Sequence, residues 1–326
     1  MRRVAYILLF LLACSYASGQ QLPIYSQYLY NKFLINPAVA GSDGYTSFNL
    51  TAREQWVGYY GAPRTFSFSG QGRLIKTRWS MLHRGTHRQS YRPKTDGRVG
   101  LGGYIFSDKN GLIDRTGFQF SYSYHLWLQN STQLSLGLAF TGYHFKIDEK
   151  AINFENNATE PWMNNDLRRG IFVPDATFGV YLLNPRYSVG FSADQLFEAS
   201  LKVGDYAYKN YKLDRHYYLF GSYYLELNNY IDLEPSFLFV MSEQLKPQAD
   251  IGLTYIYNQA FWTGLAYRTS GAIIANVGVK YQNLFIGYAF DFTLQEIQRI
   301  TYGTHEITMA VKFGDTSRKY RWLDRY

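Results

Sequence analysis

The chain has a single cysteine, Cys14, so no disulfide framework can staple it. Charged residues make up only 18% of its 326 positions, too few for the charge-rich, aromatic-poor composition of a disordered polypeptide. Apart from a partial stretch at the extreme N-terminus, no apolar run approaches the roughly 20 residues that a membrane-spanning helix needs. A helical membrane protein is thereby excluded. H-E-x-x-H, G-x-S-x-G and G-x-x-x-x-G-K are all missing, and with them three common enzyme and nucleotide-binding signatures. His83 and His87 stand four apart but have no third ligand nearby, so no metal site is expected.

What is plentiful is aromatic: 31 Tyr, 23 Phe and 6 Trp. The formal charge is +8, and basic charge among aromatics suits nucleic acid. Here the basic residues cluster in one loop and the C-terminal tail, and an exported, membrane-embedded chain explains the aromatics better. No nucleic-acid partner, cofactor or enzymatic activity is expected.

The N-terminus carries the parts of an export signal. Met1-Arg2-Arg3 is basic, Val4 to Ala13 is apolar, and Ala17-Ser18-Gly19 supplies small residues for cleavage. This predicts a signal peptide at 1–19 and a mature chain starting at Gln20. Leu11-Leu12-Ala13-Cys14 also fits a lipoprotein signal, which would instead leave a lipidated Cys14.

Beyond residue 45 apolar residues recur with period two, the signature of strands with one greasy face. Phe118, Phe120, Tyr122 and Tyr124 alternate with Gln119, Ser121, Ser123 and His125; Ile307, Met309, Val311 and Phe313 face away from Glu306, Thr308 and Lys312. The second face is small and polar. Fourteen strands are expected, near 45–55, 64–72, 98–107, 114–127, 132–146, 174–183, 186–193, 212–227, 230–241, 248–257, 260–268, 272–281, 284–293 and 304–313. Pro235 falls inside one of them and should mark a bulge or strand end, because proline donates no ladder bond.

The connections discriminate between folds. Gln129-Asn130, Asn184-Pro185, Asn228-Asn229, Asn258-Gln259 and Gln282-Asn283 are two-residue polar turns, and all follow even-numbered strands. Odd strands are followed by everything else, including 147–173 and 194–211. Short turns on one rim and longer loops on the other characterise a transmembrane antiparallel up-and-down β-barrel with periplasmic turns and outer loops. A soluble β-sandwich predicts the alternation but not this segregation. An even strand count also places both termini on the turn rim. Tyr104, Trp127, Tyr257, Trp262 and Tyr288, near strand ends, suit interfacial aromatic girdles.

Four regions follow: the signal 1–19, an N-terminal periplasmic or plug segment 20–44, the barrel 45–313 and a basic periplasmic tail 314–326. The connection 74–97 is anomalously long for the turn rim and carries Lys76, Arg78, Arg84, Arg88, Arg92 and Lys94 against Asp96 alone. The tail adds Arg318, Lys319 and Arg321. Together they form a candidate docking surface for an acidic partner or anionic lipid headgroups, with a solvated loop as the plain alternative. Arg53 and Gln55 share a strand face with Ser47, Asn49 and Thr51 and should point into the lumen, where Arg requires a carboxylate or carbonyls. His125, His144, His216 and Asp214 are expected to make structural hydrogen bonds in the lumen rather than a hydrolase centre.

A family resemblance rests on clustered motifs. Gln27-Tyr28, Asn36-Pro37-Ala38 and Gly41 are followed by Leu50-Thr51-Ala52-Arg53-Glu54-Gln55-Trp56-Val57-Gly58 and Gly61-Ala62-Pro63. Asp108-Lys109-Asn110-Gly111, Phe261-Trp262-Thr263-Gly264, Ile286-Gly287-Tyr288 and Gly303-Thr304-His305-Glu306 follow later. These resemble the PorP/SprF family of the type IX secretion and gliding machinery of Bacteroidetes, over about residues 25–313. The resemblance implies an outer-membrane barrel cooperating with a periplasmic ring of lipoprotein and partner subunits, and helping to export or hold secreted proteins or adhesins. Asn36, Pro37, Arg53, Gln55, Trp56, Gly61 and Pro63 become candidates for a structural role or a cargo contact. A diffusive porin embedded in outer-membrane lipids and lacking a protein partner is the alternative.

Overall fold

The computed structural model describes residues 24–74, 97–128, 131–147, 170–197, 200–202, 210–212, 214–243 and 247–313. The alternating segments form β1 Thr46–Glu54, β2 Arg64–Leu74, β3 Val99–Asn110, β4 Ile113–Trp127, β5 Gln133–Ile147, β6 Ile171–Leu183 and β7 Tyr187–Asp194. β8 His216–Tyr223, β9 Ile231–Ser242, β10 Gln248–Tyr257, β11 Phe261–Arg268, β12 Ala272–Tyr281, β13 Leu284–Thr293 and β14 Thr304–Phe313 complete them. Each strand pairs antiparallel with its sequence neighbours, and β1 closes the ring on β14 from Thr46 opposite Phe313 to Glu54 opposite His305. This is a closed fourteen-stranded up-and-down barrel, and the two-layer sandwich is excluded. Closure leaves no strand edge unpaired, the condition for a sheet to sit in lipid.

Side-chain burial follows the alternation. Phe118, Phe120, Leu136, Leu138, Ile251, Leu253, Leu265 and Val277 are exposed on the outer wall. Ser47, Asn49, Thr51, Ser67, Ser69, Ser121 and Ser123 are buried on the inner one. A continuous apolar exterior of this kind is stable against hydrocarbon, not water. Among the five aromatics assigned to girdles, Tyr257 and Tyr288 face outward. Tyr104, Trp127 and Trp262 do not. Tyr104 packs edge-on against Phe33, Trp262 lies against Tyr30, and Arg73 sits over the Trp127 ring, all on the lumenal side. His144 is also opposite to expectation, being exposed on the outer face between inward Tyr143 and Phe145.

On the turn rim, Asn258 and Gln259 both have φ of 52°, the primed-turn geometry that matches strand twist. Gln129-Asn130 lies outside the described residues. The opposite rim is less uniform than the sequence implies. It carries the longer 55–63 and 294–303, but also tight turns at Gly111-Leu112 and 269–271. A short hairpin, Ser200–Lys202 with Asn210–Lys212, stands where a plain loop was expected. Pro235 falls where the β8–β9 ladder is interrupted, between Ser222 opposite Ser236 and the resumed pairing of Leu225 with Leu233. The missing N–H is accommodated by that break.

The 24–44 segment lies inside the barrel. Phe33, Asn36, Ala38 and Ala40 are completely buried there. Two short 3-10 turns, Lys32–Leu34 and Pro37–Val39, fold it compactly, with the Asn36 side chain capping the second through the Ala38 N–H. It reaches the turn rim at Asp43, where β1 begins, yet its first described residue, Ile24, is beside Gln55, Trp56 and Pro63 on the loop rim. The described chain ahead of β1 thus runs through the lumen from the loop rim to the turn rim.

Candidate functional site

The inner segment must satisfy its backbone polar groups without a sheet of its own. The small polar lumenal face supplies the partners. The Ser192 and Ser123 hydroxyls donate to the carbonyls of Ile35 and Ala40 at 2.5 and 2.6 Å. Arg73 donates to the carbonyls of Gly41 and Ser42 at 2.9 and 3.1 Å. The Asn36 amide donates to the carbonyls of Val180 and Phe191 at 2.9 and 3.1 Å, joining the segment to β6 and β7 at once. Where Ala40, Ala38 and Asn36 approach the wall most closely, the wall residues are Gly100, Gly137 and Gly179. A Cβ at any of the three would overlap the inner segment.

Toward the loop rim the attachment changes character. Arg53 of β1 lies opposite Glu306 of β14 and is almost fully buried. Its guanidinium donates to Glu306 Oε2 and Asp291 Oδ2, both at 2.9 Å, and to Ser26 Oγ at 2.7 Å. Glu306 in turn accepts the backbone N–H groups of Ser26 and Gln27, each at 2.8 Å, while the Ser26 hydroxyl donates to Asp291 at 2.6 Å. Arg268 extends the cluster, holding Asp250 through Nε at 3.0 Å and Nη2 at 2.8 Å, and reaching Asp291 at 3.2 Å. Two guanidiniums and three carboxylates from five strands therefore converge on two backbone amides of the inner segment. Burial such as this is tolerable only because every charge is paired and hydrogen-bonded. Below them, burial pushes the phenols of Tyr25, Tyr28 and Tyr30 far above their ordinary range, so all three stay neutral.

Above the cluster is a polar chamber of about 370 Å³ lined by Arg53, Gln55, Trp56, Pro63 and Arg268. Trp56 is held in the left-handed region at φ 53°, its N–H donating to Thr304 Oγ1 at 3.2 Å. Gly61, at φ 71°, turns the same loop and accepts the Gly111 N–H.

The candidate motif residues thus divide between two places. Arg53, Gln55, Trp56 and Pro63 meet at the loop-rim chamber, with Gly61 in the loop above, whereas Asn36 and Pro37 lie deep against β6 and β7. Asp291, Glu306, Arg268 and Asp250 are not among the candidate site residues, although each is a charge at an inward-facing position of its strand. That placement is the signal that would have found them. His125 donates or accepts among Ala40 O and Ser135 Oγ at 3.0 and 2.7 Å, and His216 meets Gln195 and the Asp214 carbonyl, both at 3.0 Å. Lys76, Arg78, Arg84, Arg88, Arg92, Lys94, Arg318, Lys319 and Arg321 lie outside the described residues, as do His83 and His87.

Among solved structures the chain is similar to a TodX deltaS2S3 mutant monoaromatic hydrocarbon channel, at 9% identity and TM-score 0.46, over 86% of this chain and 93% of that one. It is also similar to the CymD monoaromatic hydrocarbon channel, at 11% identity and TM-score 0.46, over 90% and 93%. A third is Omp33 of Acinetobacter baumannii, at 8% identity and TM-score 0.42, over 83% and 99%. No curated protein sequence matches the chain significantly. The family model for the type IX secretion system membrane protein PorP/SprF matches residues 17–311, which takes in the inner segment, the buried charge cluster and the fourteen strands up to the last two residues of β14. The chain belongs to the PorP/SprF family of type IX secretion system membrane proteins.

Proposed function

We propose that this barrel is a non-enzymatic outer-membrane anchor of the type IX system, which docks the periplasmic ring of lipoprotein and partner subunits and helps to export or retain secreted proteins or adhesins. The observation that carries this reading over a diffusive porin is the inner segment, hydrogen-bonded to the wall from Ser26 to Ser42 where a porin would keep water. The turn rim faces the periplasm. Both basic elements leave from it: 75–96 follows β2, and 314–326 follows β14, the two strands that flank β1. With neighbouring strands ~4.8 Å apart, their points of departure are about 10 Å from one another. They therefore form one docking surface, and anionic headgroups of the membrane are its secondary contacts. Gln55, Trp56, Gly61 and Pro63 meet cargo or adhesin at the outer mouth.

Deleting 76–95 should leave a heat-modifiable barrel in the membrane and abolish recovery of the ring subunits by pull-down in mild detergent. Undiminished recovery refutes the docking role. In planar bilayers the intact protein should show no large stable conductance, and a porin-like open level would favour the diffusive reading instead.

A further inference from the structure

A second lumenal pocket lies apart from the Arg53 cluster, between the inner segment and strands β3 to β8. It has a volume of about 90 Å³ and is bounded by Tyr25, Tyr104, Tyr143, Tyr218, Asp175 and Asp194. Among the described residues its charges do not balance. Arg115, the only cation among the described residues that line it, is engaged by Asp108 through both Nε and Nη2. Asp175 and Asp194 form no ion pair among the described residues.

One oxygen of each aspartate, Oδ1, is already used. Asp175 Oδ1 accepts the N–H groups of Ala176 and Phe197 at 2.7 and 3.1 Å. Asp194 Oδ1 accepts from Thr177 Oγ1 at 2.5 Å and the Gln195 N–H at 2.9 Å. Asp175 Oδ2, on a residue 1% exposed, has no hydrogen-bond partner among the described residues. The Tyr143 hydroxyl, 5% exposed, faces Gln195 without reaching hydrogen-bond geometry and is also unsatisfied. Such groups are expensive to bury alone.

We propose that this pocket binds a primary alkylammonium group. An ammonium carries three donors, for which Asp175 Oδ2, Asp194 Oδ2 and the Tyr143 hydroxyl would be the three acceptors. The four tyrosine rings supply the π faces that attract an organic cation and an apolar lining for its alkyl stem. A hard metal ion fits less well. Calcium takes six to eight oxygens, and no three His, Cys, Asp or Glu side chains gather here among the described residues. Two sources share the chemistry, a free amine and a lysine side chain of a polypeptide. Because Tyr25 belongs to the inner segment, the site is complete only when that segment is seated.

The test is calorimetric titration of the purified full-length barrel in detergent with n-butylamine, putrescine, a Gly-Lys-Gly peptide, its Nε-acetylated form, and calcium chloride. Saturable binding of an amine is expected. Preference for putrescine assigns a free amine, and preference for the lysine peptide with loss on acetylation assigns a side chain. Asp194→Asn, which keeps the Oδ1 acceptor, should weaken binding at least tenfold. Tyr143→Phe should weaken it by about threefold to tenfold while leaving the heat-modifiable gel shift intact, so that a folding defect is told apart from a lost contact. Absence of saturable amine binding, calcium binding in its place, or wild-type affinity in a folded Asp194→Asn protein would each overturn the assignment.

Discussion

The inner segment is held at its two ends by different physics. Near the loop rim, Ser26 and Gln27 hang on a buried cluster of formal charges contributed by β1, β10, β11, β13 and β14. Toward the turn rim, residues 36–42 are held by serine and arginine donors of the wall aimed at their carbonyls and by the Asn36 amide donating to carbonyls of the wall, where glycine leaves room for backbone contact. The first attachment depends on complete pairing, because a buried ion left alone costs far more than the net worth of its bond. The second depends on shape, so many bonds to uncharged backbone carbonyls, among whose donors Arg73 is charged, share the load and no single one decides it. One end should therefore fail abruptly and the other by degrees.

The sharpest way to break this contrast is Arg53→Met. It strands Glu306 without its cation, leaves Asp291 to Arg268 alone, and should lower stability by about 3–5 kcal/mol, read from urea unfolding of the barrel in lipid vesicles. Residues near Ser26 should become open to protease while those near Ala40 remain protected. If protection is lost evenly along 24–44, the two attachments are not separate.

Next in size is Gly137→Val. The added side chain collides with the backbone of Pro37 and Ala38, and overpacking of this kind costs about 1–3 kcal/mol. Here the expected outcome is displacement of the inner segment from an otherwise closed barrel, seen as a new ion conductance in planar bilayers with the heat-modifiable gel shift retained. Asn36→Ala should act on the same end more gently. It removes two bonds to the wall and one cap, for about 1–2 kcal/mol, and should give brief rather than sustained channel openings.

Much of this architecture is legible in the residues, because alternation reports a barrel directly. A serine or threonine between two large apolar residues can face only the lumen, so strand number, register of faces and Arg53 pointing inward all follow from local pattern. Trp262 is legible in the same way, for it shares parity with Gly264, Ala266 and Arg268, and that parity outweighs its nearness to a strand end. Tyr104 was harder, since Gly102 and Gly103 beside it blur the alternation. The course of 24–44 has no local signature. Its direction through the lumen is fixed by pairs far apart in sequence, such as Ala40 with Gly100 and Ser26 with Glu306, and no single segment contains that information.

The smallest effects should still separate the two ends, if the same substitution is made at each. Ser192→Ala deletes one neutral hydroxyl that donates to the Ile35 carbonyl, and a bond of that kind is worth about 1 kcal/mol. Ser26→Ala deletes a hydroxyl that accepts from Arg53 and donates to Asp291, so its loss touches two ions and should cost about 1.5–3 kcal/mol. Combined with Arg53→Met, the Ser26 change should add less than it costs alone, because one of its two ionic contacts is already gone and only the bond to Asp291 remains. Combined with Ser192→Ala, the two losses should sum to within about 0.5 kcal/mol, as for independent sites. Measured by the same unfolding assay, equal single costs or strong coupling between Ser26 and Ser192 would mean that the inner segment is held as one cooperative unit along its whole length.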